Sequence, residues 1–260
     1  MNIKGAVALV TGAGSGIGRA TAQRLARDGA IVAVNDIDEA TALESVRLIA
    51  QKGGRAIPMA ADVADDGDVR KMITDVRAHF GRLDILVNNA GVVEAGAAPR
   101  VVFPELEPGL WLRVLDTNLR GVLLGTQHAI AAMRNSGGGV IINMSSMAGV
   151  GIGPHPAPVY AASKAAVVRF TAALGPLGPR LNIRVNCVCP DWVDTPMTQR
   201  TRATLSPEEW RAIAPSLMTQ PEEIAEAVIG IINDESLAGR VMLCVGPQPW
   251  PLLEPPRPRP

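Results

Sequence analysis

The sequence contains few cysteines, and none of them has the spacing of zinc ligands. Its three cysteines, Cys187, Cys189 and Cys244, all stand in apolar, strand-like segments. An odd number of cysteines in such surroundings is typical of reduced, buried thiols in a cytoplasmic protein and not of a disulfide framework. We therefore expect a cytoplasmic protein without disulfides and without a metal site.

The sequence also lacks an excess of charge and a long apolar run. Its 25 lysines and arginines balance 25 aspartates and glutamates, and no basic cluster predicts binding to nucleic acid or to an anionic membrane. The apolar runs are too short, or too often interrupted by glycine or charge, to span a bilayer. A strand is expected directly after Lys4, with no signal peptide before it. Nucleic acid and membrane are therefore not expected as partners.

Short apolar runs, in contrast, are abundant. The chain has 260 residues, 47% of them hydrophobic, which predicts one large α/β domain. Apolar runs typical of buried strands alternate with helical segments, which predicts a parallel sheet with right-handed crossovers. The predicted strands are 6–10, 31–34, 55–60, 83–87, 140–144, 184–188 and 241–245. The predicted helices are one ending near residue 28, 39–51, 66–80, 109–135, one starting near residue 157, 206–213 and 221–233. We expect this Rossmann-type doubly wound domain over residues 1–246 and a proline-rich tail over 247–260.

A glycine-rich turn joins the first predicted strand to the first predicted helix, with the sequence TGAGSGIG over residues 11–18. Glycines in this position let the backbone approach a pyrophosphate, and the helix N-terminus supplies N–H donors and a positive dipole end. The preceding strand and the following helix are the context that this motif requires. The turn therefore predicts a dinucleotide site, with contacts from Gly12, Gly14, Ser15, Gly16, Ile17 and Gly18.

Asp36 ends the second predicted strand at about the distance after the glycines that is typical of a carboxylate binding the ribose of NAD. Such a carboxylate repels the extra phosphate of NADP, and no arginine follows it. The alternative is that Asp36 caps the helix that begins near Asp38. Other polar or glycine-rich clusters also follow predicted strands, at the sheet edge where ligands of this fold class bind.

Tyr160 and Lys164 stand four residues apart at the start of a predicted helix, so their side chains share one face. An ammonium group beside a phenol favours the phenolate and is expected to lower the pKa of Tyr160 from its usual value of about 10. The pair is therefore a candidate proton shuttle for an alcohol or a carbonyl. The alternative is an exposed pair without a function.

Taken in order, these motifs resemble those of the short-chain dehydrogenase/reductase family over about residues 4–245. The resemblance implies that Tyr160 is the acid/base, that Lys164 lowers its pKa and bonds the nicotinamide ribose, and that Ser146 holds the substrate oxygen. It also implies that Asn118 holds a water of the proton relay. The remaining implied cofactor contacts are Asp62 and Val63 at the adenine, Asn89, Ala90 and Gly91 under the adenosine, Val193 and Thr195 at the nicotinamide carboxamide, and Pro190.

The sequence departs from the family pattern near the expected substrate pocket. Asp191 stands where the family usually has glycine, which raises the question of a left-handed backbone there. The loops before Asn118 and before Tyr160 are long, and His155 in the second loop either faces the substrate or is exposed. The expected pocket walls, 92–105, 147–159 and 192–217, are mostly apolar and predict an apolar or alicyclic substrate.

The resemblance implies an oxidoreductase that uses NAD to oxidise a secondary alcohol or reduce a ketone. Two alternatives are an NADPH-dependent carbonyl or 3-oxoacyl reductase and a non-catalytic regulator that senses NAD. The family commonly assembles through two helices that here carry apolar residues on more than one face, so we expect a homotetramer. Those residues are Leu123, Leu124, Val167, Val168 and Phe170. The tail is expected either to be disordered or to dock on the protein through Trp250, Leu252 and Leu253.

Overall fold

The computed structural model describes residues 1–94 and 103–253. The strands are β1 Val7–Val10, β2 Ile31–Asp36, β3 Arg55–Ala60, β4 Ile85–Asn88, β5 Gly139–Met144, β6 Ile183–Pro190 and β7 Val241–Cys244. The α-helices are α1 Gly16–Arg27, α2 Glu39–Gln51, α3 Asp66–Phe80, α4 Pro108–Leu115, α5 Gly121–Met133, α6 Pro158–Ala173, α7 Leu177–Leu181, α8 Pro196–Ala203, α9 Pro207–Ile213 and α10 Pro221–Asn233.

The strands form one sheet in the order β3-β2-β1-β4-β5-β6-β7, and every neighbouring pair is parallel. The chain runs outward from β1 to β3 and then crosses back to β4 on the other side of β1. This reversal confirms the predicted doubly wound sheet. It also opens a crevice at the carboxyl ends of β1 and β4, where ligands bind in this class of fold.

The two faces of the sheet carry separate apolar layers. Ala8 and Val10 of β1 pack toward one face, and Val7 and Leu9 pack toward the other. Helices α1, α2 and α10 cover the first face, and α3 and α5 cover the second. A third cluster joins α5 and α6 to β6 and β7 and includes the free thiols of Cys187 and Cys189. Both faces of the central strands are therefore buried, which explains their continuous apolar runs.

The helix predicted over 109–135 is wrong in one respect, because it is not continuous. Helix α4 ends at Leu115, and residues 116–120 form a π-helical turn before α5 begins at Gly121. A π turn accommodates one extra residue and changes the direction in which side chains point. The sequence across this break contains no proline before Gly121 and therefore gives no sign of it.

Helix α8 lies between the strand predicted over 184–188 and the helix predicted over 206–213, where no helix was predicted. Thr195 caps it by accepting a hydrogen bond from the backbone N–H of Thr198 at 3.3 Å, and Pro196 occupies its first turn. A threonine followed by proline is a recognised start for a helix. The helix predicted over 206–213 is confirmed as α9, with a reciprocal capping box between Ser206 and Glu209.

The start of the tail docks on the edge of the sheet. Leu252 pairs with Met242 of β7 in an antiparallel bridge. The backbone N–H of Leu243 donates to the carbonyl oxygen of Pro251 at 2.9 Å, and the N–H of Leu253 donates to that of Val241 at 2.7 Å. Trp250 and Leu252 also pack against the first apolar layer. Residues 254–260 lie outside the described part of the chain.

No helix within residues 1–94 and 103–253 is both long enough and apolar enough to cross a membrane.

Candidate active site

A cleft of about 890 Å³ lies along the carboxyl ends of the strands, at the crevice beside β1 and β4. Most residues predicted for the site line this cleft, whereas Gly14, Gly18 and Asn118 do not line it. The volume is in the range of pockets that bind small organic ligands and cofactors. The predicted residues that line the cleft are Gly12, Ser15, Gly16, Ile17, Asp36, Asp62, Val63, Asn89, Ala90, Gly91, Ser146, Tyr160, Lys164, Pro190, Val193 and Thr195.

The glycine turn forms a narrow part of the cleft wall. Gly12 and Gly16 have φ angles of +59° and +51°, a left-handed conformation that glycine adopts without strain. A Cβ atom on Gly12 would lie 2.8 Å from the Cα of Ala90. Ser15 precedes α1 without a side-chain capping hydrogen bond, so the first N–H groups of this helix lack a side-chain partner. Such a helix end fits an anionic group such as the pyrophosphate of a dinucleotide.

Asp36 is tied to the glycine turn. Its Oδ2 accepts a hydrogen bond from the backbone N–H of Gly14 at 2.9 Å. Asp36 does not cap α2, because Asp38 does so by accepting from the N–H of Ala40 at 3.0 Å. The geometry thus excludes the alternative in which Asp36 is the cap, and it presents a carboxylate at the edge of the cleft beside the turn.

Two more strand ends complete this half of the cleft. Val63 is buried, and Asp62 accepts a hydrogen bond from the N–H of Ala64 at 2.9 Å. At the end of β4, the Asn89 amide donates to the carbonyl oxygens of Thr11 at 2.9 Å and Gly12 at 3.1 Å. Asn89 therefore fastens the β4 segment to the glycine turn, a structural role that leaves the backbone of the segment facing the cleft.

Tyr160, Lys164 and Ser146 meet at the other end of the cleft. Lys164 is 3% exposed, and its Nζ lies 5.7 Å from the centre of the Tyr160 ring. The same Nζ donates to the carbonyl oxygen of Met144 at 2.9 Å. Ser146 follows β5, accepts from the N–H of Ala148 at 3.2 Å and hydrogen-bonds with Tyr160. The predicted pair on one helix face therefore lies in the cleft beside a hydroxyl group.

The ionisation of the pair differs from the expectation that Lys164 lowers the pKa of Tyr160. Burial raises the pKa of Tyr160 above its usual value, and the hydrogen bond with Ser146 opposes this only in part. Burial also lowers the pKa of Lys164 from 10.5 to about 8. In the protein alone, loss of hydration therefore dominates both groups and favours a neutral phenol.

Asn118 lies in the π turn and is fully buried. Its Oδ1 accepts from the backbone N–H of Val92 at 2.8 Å, and its amide donates to the carbonyl oxygen of Val92 at 2.8 Å. The amide also donates to the Ser163 hydroxyl at 3.1 Å. Asn118 therefore clamps the segment after β4 to α6, the helix that carries Tyr160 and Lys164. A Cβ on Gly91 would lie 3.4 Å from both Asn118 Oδ1 and Lys164 Nζ, so the two groups flank the same point.

The end of β6 forms the far wall. Val193 pairs with Thr219 in a parallel bridge, and the Cγ2 of Thr195 lies 3.2 Å from the position of a Cβ on Gly16. Thr195 thus brings α8 against the glycine turn. Asp191 does not have a left-handed φ, so its replacement of the usual glycine leaves an ordinary backbone there. Burial raises the pKa of the Asp191 carboxyl group.

The loop before Tyr160 lies apart from the cleft. No described residue between Met147 and Val159 lines the cleft, contrary to the expected pocket wall, and Ile152 is fully exposed. His155 is exposed, accepts from the N–H of Ala157 at 3.1 Å and stacks beside Tyr160 with ring centres 6.3 Å apart. Of the expected wall at 92–105, residues 95–102 lie outside the described part of the chain.

Two residues that contact the Tyr160 helix, α6, were not predicted from the sequence. The hydroxyl of Ser163 donates to the carbonyl oxygen of Tyr160 at 2.7 Å, one turn below it. Glu94 accepts hydrogen bonds from the backbone N–H groups of Val159 at 2.8 Å and Tyr160 at 2.9 Å. Ser163 could have been noticed from its position on the Tyr160 helix. Glu94 makes a contact across more than sixty residues, which no local pattern reveals.

The sheet order and the cleft at its switch point define a protein of the Rossmann-type α/β class. Residues 6–206 match the family model described as short chain dehydrogenase. The chain belongs to the short-chain dehydrogenase/reductase family of oxidoreductases, which use nicotinamide cofactors.

Characterised relatives are similar along most of the chain. It is 37% identical to cis-4-hydroxycyclohexanecarboxylate dehydrogenase of Sinomonas cyclohexanicum, over 88% of this chain and 89% of that protein. It is 36% identical to cyclopentanol dehydrogenase of a Comamonas species, over 88% of this chain and 90% of that protein. Among solved structures, actinorhodin polyketide ketoreductase with NADPH matches with a TM-score of 0.83 and 35% identity, over 92% of this chain and 96% of that chain.

Proposed function

We propose that this protein is an NAD-dependent oxidoreductase that interconverts a small secondary alcohol and its ketone. The observation that carries the proposal is the arrangement of the cleft. Tyr160, Lys164 and Ser146 converge at one end, and the glycine turn with Asp36 forms the other. A cofactor held along this cleft would bring its reactive ring to the end where the acid/base group lies.

The residues of this chain would supply binding and proton transfer. The Ser146 hydroxyl would donate a hydrogen bond to the substrate oxygen, and Tyr160 would take the hydroxyl proton during oxidation or return it during reduction. The hydride chemistry would be supplied by a nicotinamide cofactor when one is bound in the cleft. Because burial raises the pKa of Tyr160, proton uptake from an alcohol needs nearby positive charge. Lys164 provides one such charge, and the cationic oxidised nicotinamide provides another.

Asp36 supports NAD as the cofactor. The cleft wall beside it consists of Asn35, Ile37, Asp38 and Thr41, none of which carries a positive charge. Arg19 is engaged with the carbonyl oxygen of Gly14 and with the Ser45 hydroxyl at 2.9 Å. Arg19 keeps its charge but does not line the cleft, so the extra phosphate of NADP would meet the Asp36 carboxylate at a stretch of the wall that bears no cation.

The cofactor test compares kcat/KM for NAD and NADP with one substrate. The proposal expects a clear preference for NAD. A preference for NADP would contradict it and would favour the NADPH-dependent carbonyl or 3-oxoacyl reductase, the alternative that the solved ketoreductase with NADPH represents.

We propose an alicyclic secondary alcohol or ketone as the substrate class. Two relatives are named for alcohols of five- and six-membered rings, and the lining of the cleft includes the apolar side chains of Met144, Val193, Pro196 and Met197. The test is reduced-nicotinamide absorbance with a panel of cyclopentanol, cyclohexanol, 4-hydroxycyclohexanecarboxylate, linear secondary alcohols and a 3-oxoacyl thioester. Saturable NAD binding without turnover across the panel would favour the regulator that senses NAD.

We also propose a cytoplasmic homotetramer assembled through α4, α5 and α6. Leu110 is 46% exposed and Leu123 is 38% exposed, whereas Val168 and Phe170 are half-buried. Val167, on another face of α6, is fully buried in the core. Light scattering should give four times the chain mass of 27.3 kDa, and Leu123→Glu should reduce it. A wild-type protein of monomer mass would refute the assembly.

A further inference from the structure

The first turn of α6, which carries Tyr160, lacks a local cap. Ala157 precedes the helix without a side-chain capping hydrogen bond, and Pro158 has no N–H to donate. The N–H of Ala161 already donates to the carbonyl oxygen of Ala157 at 3.0 Å. The remaining donors of the turn are the N–H groups of Val159 and Tyr160, and a buried helix end must satisfy such groups.

Glu94 satisfies both donors from a distant part of the chain. Its Oε1 accepts from Val159 at 2.8 Å, and its Oε2 accepts from Tyr160 at 2.9 Å. The residue is only 8% exposed, and each oxygen is aimed at one N–H group. A carboxylate at a helix N-terminus is further stabilised by the positive end of the helix dipole. Glu94 is therefore a buried, two-point cap on the residue that carries the proton.

Glu94 belongs to the segment that follows β4, and hydrogen bonds hold this segment at three positions. Asn89 ties the segment to the glycine turn, and Asn118 holds Val92 through two hydrogen bonds of 2.8 Å. Two residues later, Glu94 fastens the segment to α6. The backbone that forms the floor of the cofactor cleft is thus joined by short, rigid links to the backbone of Tyr160.

We infer that Glu94 is a positioning residue that fixes Tyr160 relative to the cofactor cleft by clamping the first turn of α6. The inference rests on the proposed function for its kinetic consequence. Its geometric part concerns only the protein, so it can be tested without turnover. Loss of the clamp would let the first turn of α6 shift, and a misplacement of about 1 Å in an active site can cost about a hundredfold in rate.

The charge of Glu94 also acts on the phenol. Burial is the main cause of the raised pKa of Tyr160; Ser146 opposes it, and Cys189 and the carboxylate of Glu94 add to it. Lys164 and His155 also face the ring. Removing only the charge of Glu94 leaves all these groups in place and should lower the pKa of Tyr160. Glu94→Asp keeps the charge and shortens the side chain, so the two variants together separate the loss of the charge from the loss of the clamp.

The chain offers a specific probe because Tyr160 is its single tyrosine. The tyrosinate absorbance band of the cofactor-free protein therefore reports the titration of this one phenol, with circular dichroism confirming that the fold persists. Glu94→Gln keeps the shape, removes the charge and replaces one acceptor oxygen by an NH₂ group. Glu223→Gln is the matched control, because Glu223 accepts from the N–H of Gln220 at 2.8 Å at the start of α10, away from the cleft.

Glu94→Gln should lower the tyrosine midpoint and reduce kcat by about tenfold, with the dissociation constant of NAD changed by less than about twofold. Glu223→Gln should match wild type in all three measurements. Glu94→Asp keeps the charge but is shorter, so it should retain the wild-type midpoint and lose less kcat than Glu94→Gln. A folded Glu94→Gln protein with an unchanged midpoint, or with kcat within twofold of wild type, would overturn the inference. Failure of the proposed function would instead appear as an active Tyr160→Phe variant, whatever the midpoint of Glu94→Gln.

Discussion

Lys164 Nζ lies 5.7 Å from the centre of the Tyr160 ring, so the amine of one residue stands beside the aromatic ring of the other. One of its three donors is used by the carbonyl oxygen of Met144, so two remain for groups in the cleft. The pair is a candidate acid/base unit whose charge state depends on what the cleft holds. Burial alone raises the pKa of Tyr160, which favours the neutral phenol, and lowers the pKa of Lys164.

Tyr160→Phe should remove the proton carrier and leave the fold unchanged. We expect kcat to fall by about 10²–10⁴ because general acid/base catalysis of that size is lost. NAD binding, measured by fluorescence titration, should stay close to wild type, since the ring remains. Turnover within about tenfold of wild type would show that another group carries the proton.

Lys164→Met should change how stability depends on pH. Burial lowers the pKa of Lys164 in the folded protein from 10.5 to about 8, whereas the unfolded chain keeps the ordinary value. Between these values the unfolded chain holds a proton that the folded protein has released, so wild-type stability rises with pH in this window. Relative to Lys164→Met, the wild type should gain on the order of 2 kcal/mol between about pH 8 and about pH 10.

Denaturant unfolding at several pH values measures this effect. Lys52→Met is the control, because Lys52 is exposed and the substitution therefore removes no buried amine. Parallel plots of unfolding free energy against pH for wild type and Lys164→Met would show that folding does not change the pKa of Lys164. Lys164→Met should also lose activity. The expected result is therefore a variant that is more stable than wild type near pH 8 but less active, because burying the amine destabilises the fold.

Asp36→Ala should weaken NAD binding and narrow the preference over NADP. The variant loses the acceptor of the Gly14 N–H and the charge that would repel the NADP phosphate. Hydrogen bonds to charged groups are worth about 1.5–3 kcal/mol, so we expect the dissociation constant of NAD to rise by about tenfold or more. Asp65→Ala is the control, since Asp65 caps α3 by accepting from the N–H of Asp68 at 2.9 Å. An unchanged cofactor ratio would remove Asp36 from the ribose role.

Deleting residues 249–260 should lower the melting temperature. The deletion removes the packing of Trp250 and Leu252 and two backbone hydrogen bonds to β7. Full burial of a large apolar side chain is worth about 1.5–3 kcal/mol, so a loss of that order is expected. Deleting only 254–260 is the control, because it keeps the docked residues. Unchanged melting, assembly and KM after the longer deletion would make the tail dispensable, and a raised KM with intact NAD binding would place it near the substrate entrance.

Elements with local signals could be predicted closely from the sequence. Helices 39–51 and 66–80 match α2 and α3, which Asp38 and Asp65 cap from the preceding residue. Strand 55–60 matches β3, which two glycines precede and Asp62 follows closely. The glycine turn, Asp36 and the Tyr160–Lys164 pair were predicted because each has a fixed spacing within one strand or helix. The structure places them together because the carboxyl ends of parallel strands share one edge.

Other features depend on contacts between distant residues. The π turn at 116–120 carries Asn118, whose two hydrogen bonds reach Val92, 26 residues away in the sequence. Glu94 caps Val159 and Tyr160, which follow it in the sequence by 65 and 66 positions. In the sequence, nothing distinguishes Glu94 from any other glutamate in a loop. The raised pKa of Tyr160 reflects burial, which spacing along a helix does not reveal.

The π turn makes the chain sensitive to its length at one place. An α-helix turns by about 100° per residue and a π turn by less, because the π turn accommodates one extra residue, so α-helical geometry for all five residues 116–120 would rotate α4 about its axis relative to α5. Asn118 would then leave Val92, or α4 would present a different face to its neighbours. We therefore expect a single-residue insertion between 116 and 120 to be rejected, because this turn already holds its extra residue. By the same reasoning, a helix-stabilising redesign that regularises this stretch should give a more uniform helix and a less active protein.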